Sequence, residues 1–133
     1  MVTIHRFNST HAPEPYGPYA HAVIVGEWIF LSGQNGRDPV TAKLVQGGIQ
    51  SQTERAIRNI EAVLLDLGSS LEEIVKTTVY MNDLRDFGAM NEVYTVLFGQ
   101  HLPARSTIQA PLPFGALVAL DAVANRRKAD SLL

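Results

Sequence analysis

Cysteine is absent from the 133-residue chain. That removes disulfides, thiolate nucleophiles and cysteine metal ligands together, and it fits a reducing compartment. An excess of basic charge is also missing, since 11 Lys and Arg stand against 13 Asp and Glu for a formal net charge of −2. Gripping nucleic acid requires a basic face that neutralises phosphates, so no nucleic-acid partner is expected. No apolar run approaches the ~18 residues of a membrane span, and the start, MVTIHRFNST, lacks the apolar stretch of a secretory signal. The expectation is a soluble cytoplasmic protein with no membrane partner. No Gly-Lys-Ser or Gly-Lys-Thr follows the glycines of SGQNG or QGG, which therefore read as turns rather than phosphate cradles. His5, His11, His21 and His101 lack the spacing of a metal site, and neither metal nor cofactor is expected. His21, two residues after Tyr19, is placed to line a cleft with it. Arg126, Arg127 and Lys128 read as a solvated basic tail.

What the chain does contain is a hydrophobic fraction of 46%, enough at this length for one core and a single domain spanning residues 1–133. VTIHRF alternates as a first strand. The loop after it, NSTHAPEPYGPYA, holds three prolines and a glycine that forbid regular structure. HAVIVGEWIFLSG is a hairpin about Gly26-Glu27, and QNGRDPVTAKLVQGG reads as loop. From Ile49 apolar residues recur at three and four positions through Leu67, predicting a helix stopped by Gly68. EIVKTTVYM is a strand rich in β-branched residues. Asp86 is placed to cap a second helix, FGAMNEVYTVLFG, with Phe87, Met90, Tyr94, Leu97 and Phe98 on one stripe. ARSTIQ and GALVALDAVA are two further strands around the proline-broken APLPF. The fold class is therefore α+β, a sandwich of one mixed, mainly antiparallel sheet with two helices on one face. The last strand is apolar at nearly every position, so both its faces call for cover, and a partner subunit is the simplest cover for the second.

Two charges stand in otherwise apolar sequence near the C-terminus, Arg105 and Asp121. Asp121 shares its strand face with Leu117, Ala119 and Val123, and an unpaired carboxylate there costs several kcal/mol. Two readings fit it: a structural salt bridge or bond to a loop amide, or an acid facing a cavity where it handles a proton or a water. Two also fit Arg105: an ordinary ion pair, or a guanidinium fork that holds a substrate carboxylate bidentately at the sheet end.

GPYAHAV, FLSGQ, IVKTTVYMNDLRDF, NEVY and above all PARST resemble, in order and nearly in spacing, the motifs of the YjgF/RidA family of reactive-intermediate (enamine/imine) deaminases. The resemblance runs from about Pro15 to Ala124, with a one-residue shortening after Gln109. It implies the chorismate-mutase-like fold and a homotrimer whose sheets form a central barrel, with active sites in the clefts between subunits. The implied reaction needs no cofactor: a small 2-imino or 2-amino-enoic acid, of the 2-iminobutanoate/2-iminopropanoate type, is hydrolysed to a 2-oxo acid and ammonia. Arg105 matches the arginine that holds the substrate carboxylate, Tyr19 the tyrosine lining the pocket, and Gly33 the residue whose backbone amide approaches the substrate. Ser32 lies beside Gly33 in the same motif and, lacking a His and acid partner, is no nucleophile. Asn91 falls at a position around the site, although its place on the helix stripe also suits bonding to backbone. Asp121 falls where better-known members carry a glutamate that orients the attacking water, and its side chain stops ~1.5 Å short of a glutamate's. A misplacement on the order of 1 Å can cost about 100-fold in rate. Thr107 replaces a cysteine, while Ala119 and Gln109 stand where many members have further glutamates. This thinner acidic end leaves open a 2-aminomuconate-type substrate, or a member that binds carboxylates or acts as a chaperone without catalysis. A ribonuclease role, also assigned to relatives, conflicts with the charge balance.

Overall fold

The computed structural model describes residues 2–126, which leaves Arg127 and Lys128 of the basic tail outside the described residues. Six strands form one sheet, β1 (Ile4–Phe7), β2 (Ala22–Val25), β3 (Trp28–Asn35), β4 (Ile74–Met81), β5 (Ala104–Gln109) and β6 (Val118–Asn125), in the order β1-β2-β3-β6-β4-β5. Helix α1 (Ile49–Asp66) joins β3 to β4, and α2 (Phe87–Phe98) joins β4 to β5. Among the described residues only β4 and β5 pair in parallel. A parallel pair needs a long crossover, and α2 supplies it. The hairpin between β2 and β3 turns on Gly26 and Glu27, with Gly26 at φ 61°.

The core lies between the helices and the inner face of the sheet. Ala56, Ile57, Ile60, Val63 and Leu64 of α1 and Met90, Tyr94 and Phe98 of α2 meet Val79, Met81, Val118, Leu120 and Ala122 from β4 and β6. Each large aliphatic side chain so buried contributes roughly 1.5–3 kcal/mol. Asn59 and Gln52 are among the polar side chains buried with them. Asn59, fully buried on α1, donates to the carbonyls of Asn35 (3.1 Å) and Arg37 (2.8 Å), and Gln52 accepts the Leu117 N–H at 2.9 Å. They fasten the end of β3 and the approach to β6 onto the helix. Gly36 lies so close to α1 that a Cβ there would stand 2.7 Å from the Gln52 Cα. Replacing Asn59 with Leu removes two donors from buried carbonyls and is expected to cost about 2–3 kcal/mol, read as a lower urea midpoint.

Two local features depart from the sequence reading. β3 runs on through Gln34 and Asn35, both buried, because a bulge follows Leu31: Leu31 pairs with Ala122 but Gln34 with Leu120, so Ser32 and Gly33 together face Asp121. Asp86 does occupy the N-cap of α2, but its side chain makes no capping bond. Asp83 instead accepts from the Arg85 N–H and caps the short turn before the helix.

Along β6 the alternation is plain, with Val118, Leu120, Ala122 and Ala124 buried beneath the helices while Ala119, Asp121 and Val123 face the other way. That outer face has no helix on it. It leaves Trp28, Phe30, Val75 and Ile108 exposed in the single chain. Among the described residues no helix is long and apolar enough to cross a membrane.

Candidate active site

The two charges do not meet within one chain. Arg105 pairs in register with Thr77, which is buried under α2, whereas Asp121 pairs with Thr78, the next residue of β4. Successive strand residues point to opposite faces, so the guanidinium lies on the helix side of the sheet edge and the carboxylate on the bare outer face. The sequence-derived site is thus divided into two half-sites.

At the sheet edge Arg105 donates to the Asn91 side-chain oxygen at 2.8 Å. Its guanidinium lies 4.7 Å from the Tyr94 ring centroid and 5.5 Å from that of Phe87. Asn91 therefore bonds the arginine rather than backbone, and the three helix residues form a cradle around a cation. Tyr94 is fixed by a 2.7 Å bond between its hydroxyl and that of Thr77. Burial holds the Tyr94 phenol above its ordinary pKa, with the Thr77 bond and the Arg105 charge acting the other way. Thr107 follows two residues on, half-buried on the same side of β5. Among the described residues Arg105 has no carboxylate partner. The ordinary ion pair is not what it makes.

On the outer face Tyr80 donates its hydroxyl to the Asp121 carboxylate at 2.9 Å. That bond, aided by burial, raises the Tyr80 pKa, so the phenol remains the donor. Asp121→Asn is accordingly expected to lower the ionisation point of Tyr80 in a spectrophotometric titration and leave Tyr94 unmoved. Opposite Asp121, the bulge carries Ser32 and Gly33, which with Tyr16 and Tyr19 line a cleft of about 290 Å³. Ser32 is committed to the loop beside it: its hydroxyl donates to the Ala20 carbonyl at 2.6 Å and its N–H to the His21 carbonyl at 3.0 Å. These bonds hold the Tyr19 loop against the bulge, and the Tyr19 hydroxyl accepts the Tyr16 N–H at 3.3 Å.

His21 does not line the cleft. It is buried, with Nδ1 accepting the Ser9 N–H (2.9 Å) and Nε2 bonded to the Pro13 carbonyl (2.7 Å), so its imidazole is the hub around which the loop folds. The carbonyl can only accept, which assigns the proton to Nε2. His11 pairs with Asp66 at 3.0 Å and His101 approaches Glu72 at 3.9 Å. Sequence reasoning misses Arg37 and Tyr80 and reads Tyr94 only as part of the apolar helix stripe. Tyr94 follows Asn91 by one helical step, the one signal that pointed to it; a loop arginine and a strand tyrosine carry none. Next to Gly33, a smaller lobe is lined by Arg37 and by Ala119, not by a carboxylate.

The sequence model of the family described as Endoribonuclease L-PSP matches residues 9–126. The chain belongs to this family, the YjgF/RidA proteins. Among its YjgF/RidA relatives, a RutC family protein from Pyrococcus abyssi is 47% identical over 114 residues, covering 85% of this chain and 90% of the relative. A mouse (Mus musculus) protein named 2-iminobutanoate/2-iminopropanoate deaminase is 42% identical over 118 residues, 88% of this chain and 87% of its own. The crystal structure of E. coli TdcF with bound serine superposes with a TM-score of 0.87 at 33% identity, over 92% of this chain and 99% of that one. The two-helix, six-stranded mixed sheet described above is thus the YjgF/RidA fold.

Proposed function

We propose that this protein is a hydrolytic deaminase of small 2-imino and enamine acids, active as a cytoplasmic homotrimer whose sites lie between subunits. The observation that carries this reading is Arg105, a guanidinium held by Asn91, Tyr94 and Phe87 and left without a carboxylate partner among the described residues. A planar fork prepared in this way suits the carboxylate of a 2-imino acid. The bare outer sheet face, with its exposed aromatic and aliphatic residues, supports assembly. Packing a second copy against it would bring Arg105 of one subunit to the Gly33 and Asp121 side of the next.

In that cleft the reaction is R–C(=NH₂⁺)–COO⁻ + H₂O → R–CO–COO⁻ + NH₄⁺. The iminium carbon is already electrophilic. The protein has only to hold the carboxylate, present a water and return protons. Arg105 and the Gly33 amide hold the substrate, Asn91 positions the guanidinium, Thr107 and Ser32 border the acid, and Tyr19 walls the cleft. Asp121, steadied by Tyr80, orients the water. The assignment is supported by relatives that bear the deaminase name.

The test generates 2-iminobutanoate with an amino-acid oxidase or dehydratase and follows 2-oxobutanoate above the spontaneous rate. No acceleration by the folded protein would overturn the reading. Asp121→Asn is expected to lower kcat on the order of 100-fold with little change in KM, since general acid-base help of this kind contributes at least that much. A pure KM effect would contradict its role. One observation favours a second reading, carboxylate binding without turnover: the lobe beside Gly33 presents Ala119 where a carboxylate would serve. In that case 2-oxo acids would raise the melting temperature while the imine decays at its spontaneous rate.

A further inference from the structure

Arg37 follows the bulge and is only 8% exposed. One of its terminal nitrogens donates to the Glu14 carbonyl at 3.0 Å, and the guanidinium lies 4.7 Å from the Tyr16 ring centroid. Its Nε is buried without any hydrogen-bond partner. Among the described residues it makes no ion pair. A guanidinium does not shed its proton in a protein, and charges buried this deeply are ordinarily paired. The carbonyl and the ring satisfy part of the fork, and neither neutralises it.

The surroundings fit an absent anion. Arg37 lines two cavities. The smaller, about 80 Å³, is shared with Gly33, Asn35 and Ala119. The larger, about 470 Å³, is shared with Lys43, Leu44 and Phe114. Neither is lined by an acidic side chain, and Lys43 adds a second cation to the larger. Tyr16 borders both, and also the cleft of Tyr19, Ser32 and Gly33, so the three spaces meet at one ring. Phe114, stacked edge-on against Tyr16 at 4.8 Å, is held at φ 62°, a left-handed backbone unusual for a phenylalanine. Strain of this sort persists where the surroundings impose it, and here it sets an aromatic side chain on the wall of the larger cavity.

We infer that Arg37 is a specificity-determining residue that takes the second carboxylate of a dicarboxylic substrate. The inference rests on the deaminase reading above: Arg105 binds the carboxylate next to the imine carbon, and Arg37 binds the one at the far end of the acid. Monocarboxylic imines leave that guanidinium unsatisfied, whereas a dicarboxylic 2-imino acid neutralises it with charge-assisted bonds. The product is the corresponding 2-oxo diacid, and the reaction supplying the substrate is one that forms an imine or enamine on an acidic amino acid.

The experiment compares kcat/KM of the assembled wild-type protein for 2-iminoglutarate and 2-iminobutanoate, each made in situ by an oxidase. Calorimetric titrations with 2-oxoglutarate, 2-oxobutanoate and inorganic phosphate run alongside. The diacid is expected to be favoured about tenfold or more in both readouts. Arg37→Gln should bring the ratio to about one, with Arg37→Lys, which keeps the charge and loses the fork, in between. The wild-type ratio needs no variant and decides the matter even if Arg37→Gln fails to fold. A ratio near one with brisk 2-iminobutanoate turnover overturns this inference and leaves the deaminase standing. A preference that survives Arg37→Gln also overturns it, as does phosphate binding as tightly as the diacid. Failure to bind or turn over either acid brings down both readings.

Discussion

Arg105→Ala is expected to lower kcat/KM for a 2-imino acid on the order of 100- to 1000-fold while the protein remains folded. The magnitude follows from removing one member of a desolvated charge pair, which typically costs 2–5 kcal/mol, about 30- to 4000-fold. Folding should survive because the side chain is half-buried at the rim of β5 and its removal uncovers only the Asn91 side-chain oxygen and the faces of Tyr94 and Phe87. Arg105→Lys should recover little, since an ammonium offers a point charge where the cradle orients a plane. The measurement is the coupled 2-oxo acid assay, with the thermal midpoint as control. An unchanged rate would remove Arg105 from the site.

The second large effect concerns the division of the site. Gly33 is exposed, its φ lies outside the left-handed region, and a Cβ built there meets nothing closer than the Leu120 carbonyl at 4.0 Å. Gly33→Trp should therefore fold and fill the cleft with an indole, abolishing activity. Arg105→Ala disables the other half-site on the opposite face of the sheet. Mixed and reassembled, the two inactive variants should regain roughly a quarter of the wild-type rate, because in a closed ring each interface draws an intact half from each neighbour about one time in four. Regained activity would show that one site takes residues from two copies. If the mixture stays as inactive as its components in demonstrably mixed oligomers, the site lies within one chain.

How far the sequence alone reached depends on how local each signal was. The span of α1 was legible to within a residue because the apolar repeat and Gly68 are both properties of neighbouring residues. The same holds for β5, read as ARSTIQ and found as Ala104–Gln109. The extension of β3 was not legible, since Gln34 and Asn35 are polar and continue the strand only because, past the bulge, they pair with Leu120 and Ala119 of β6 while Asn59 donates to the Asn35 carbonyl. His21 read as cleft-lining from its distance to Tyr19, yet burial between a backbone donor, the Ser9 N–H, and a backbone acceptor, the Pro13 carbonyl, turned it inward. Asp86 sat at the right position for a cap, and the bond went to Asp83, whose side chain reaches the turn first.

The α+β order and the family to which PARST and its companion motifs point could both be read without a fold in hand. These depend on periodicity and on short contiguous strings, which survive without coordinates. Which charges keep company was a matter of the folded chain. A one-residue offset between Thr77 and Thr78 sends Arg105 and Asp121 to opposite faces of one sheet, and the fold of a loop around His21 leaves Arg37 buried without a counter-ion among the described residues. Both outcomes depend on register and on distant chain segments meeting, and nothing in the local sequence around an arginine records either.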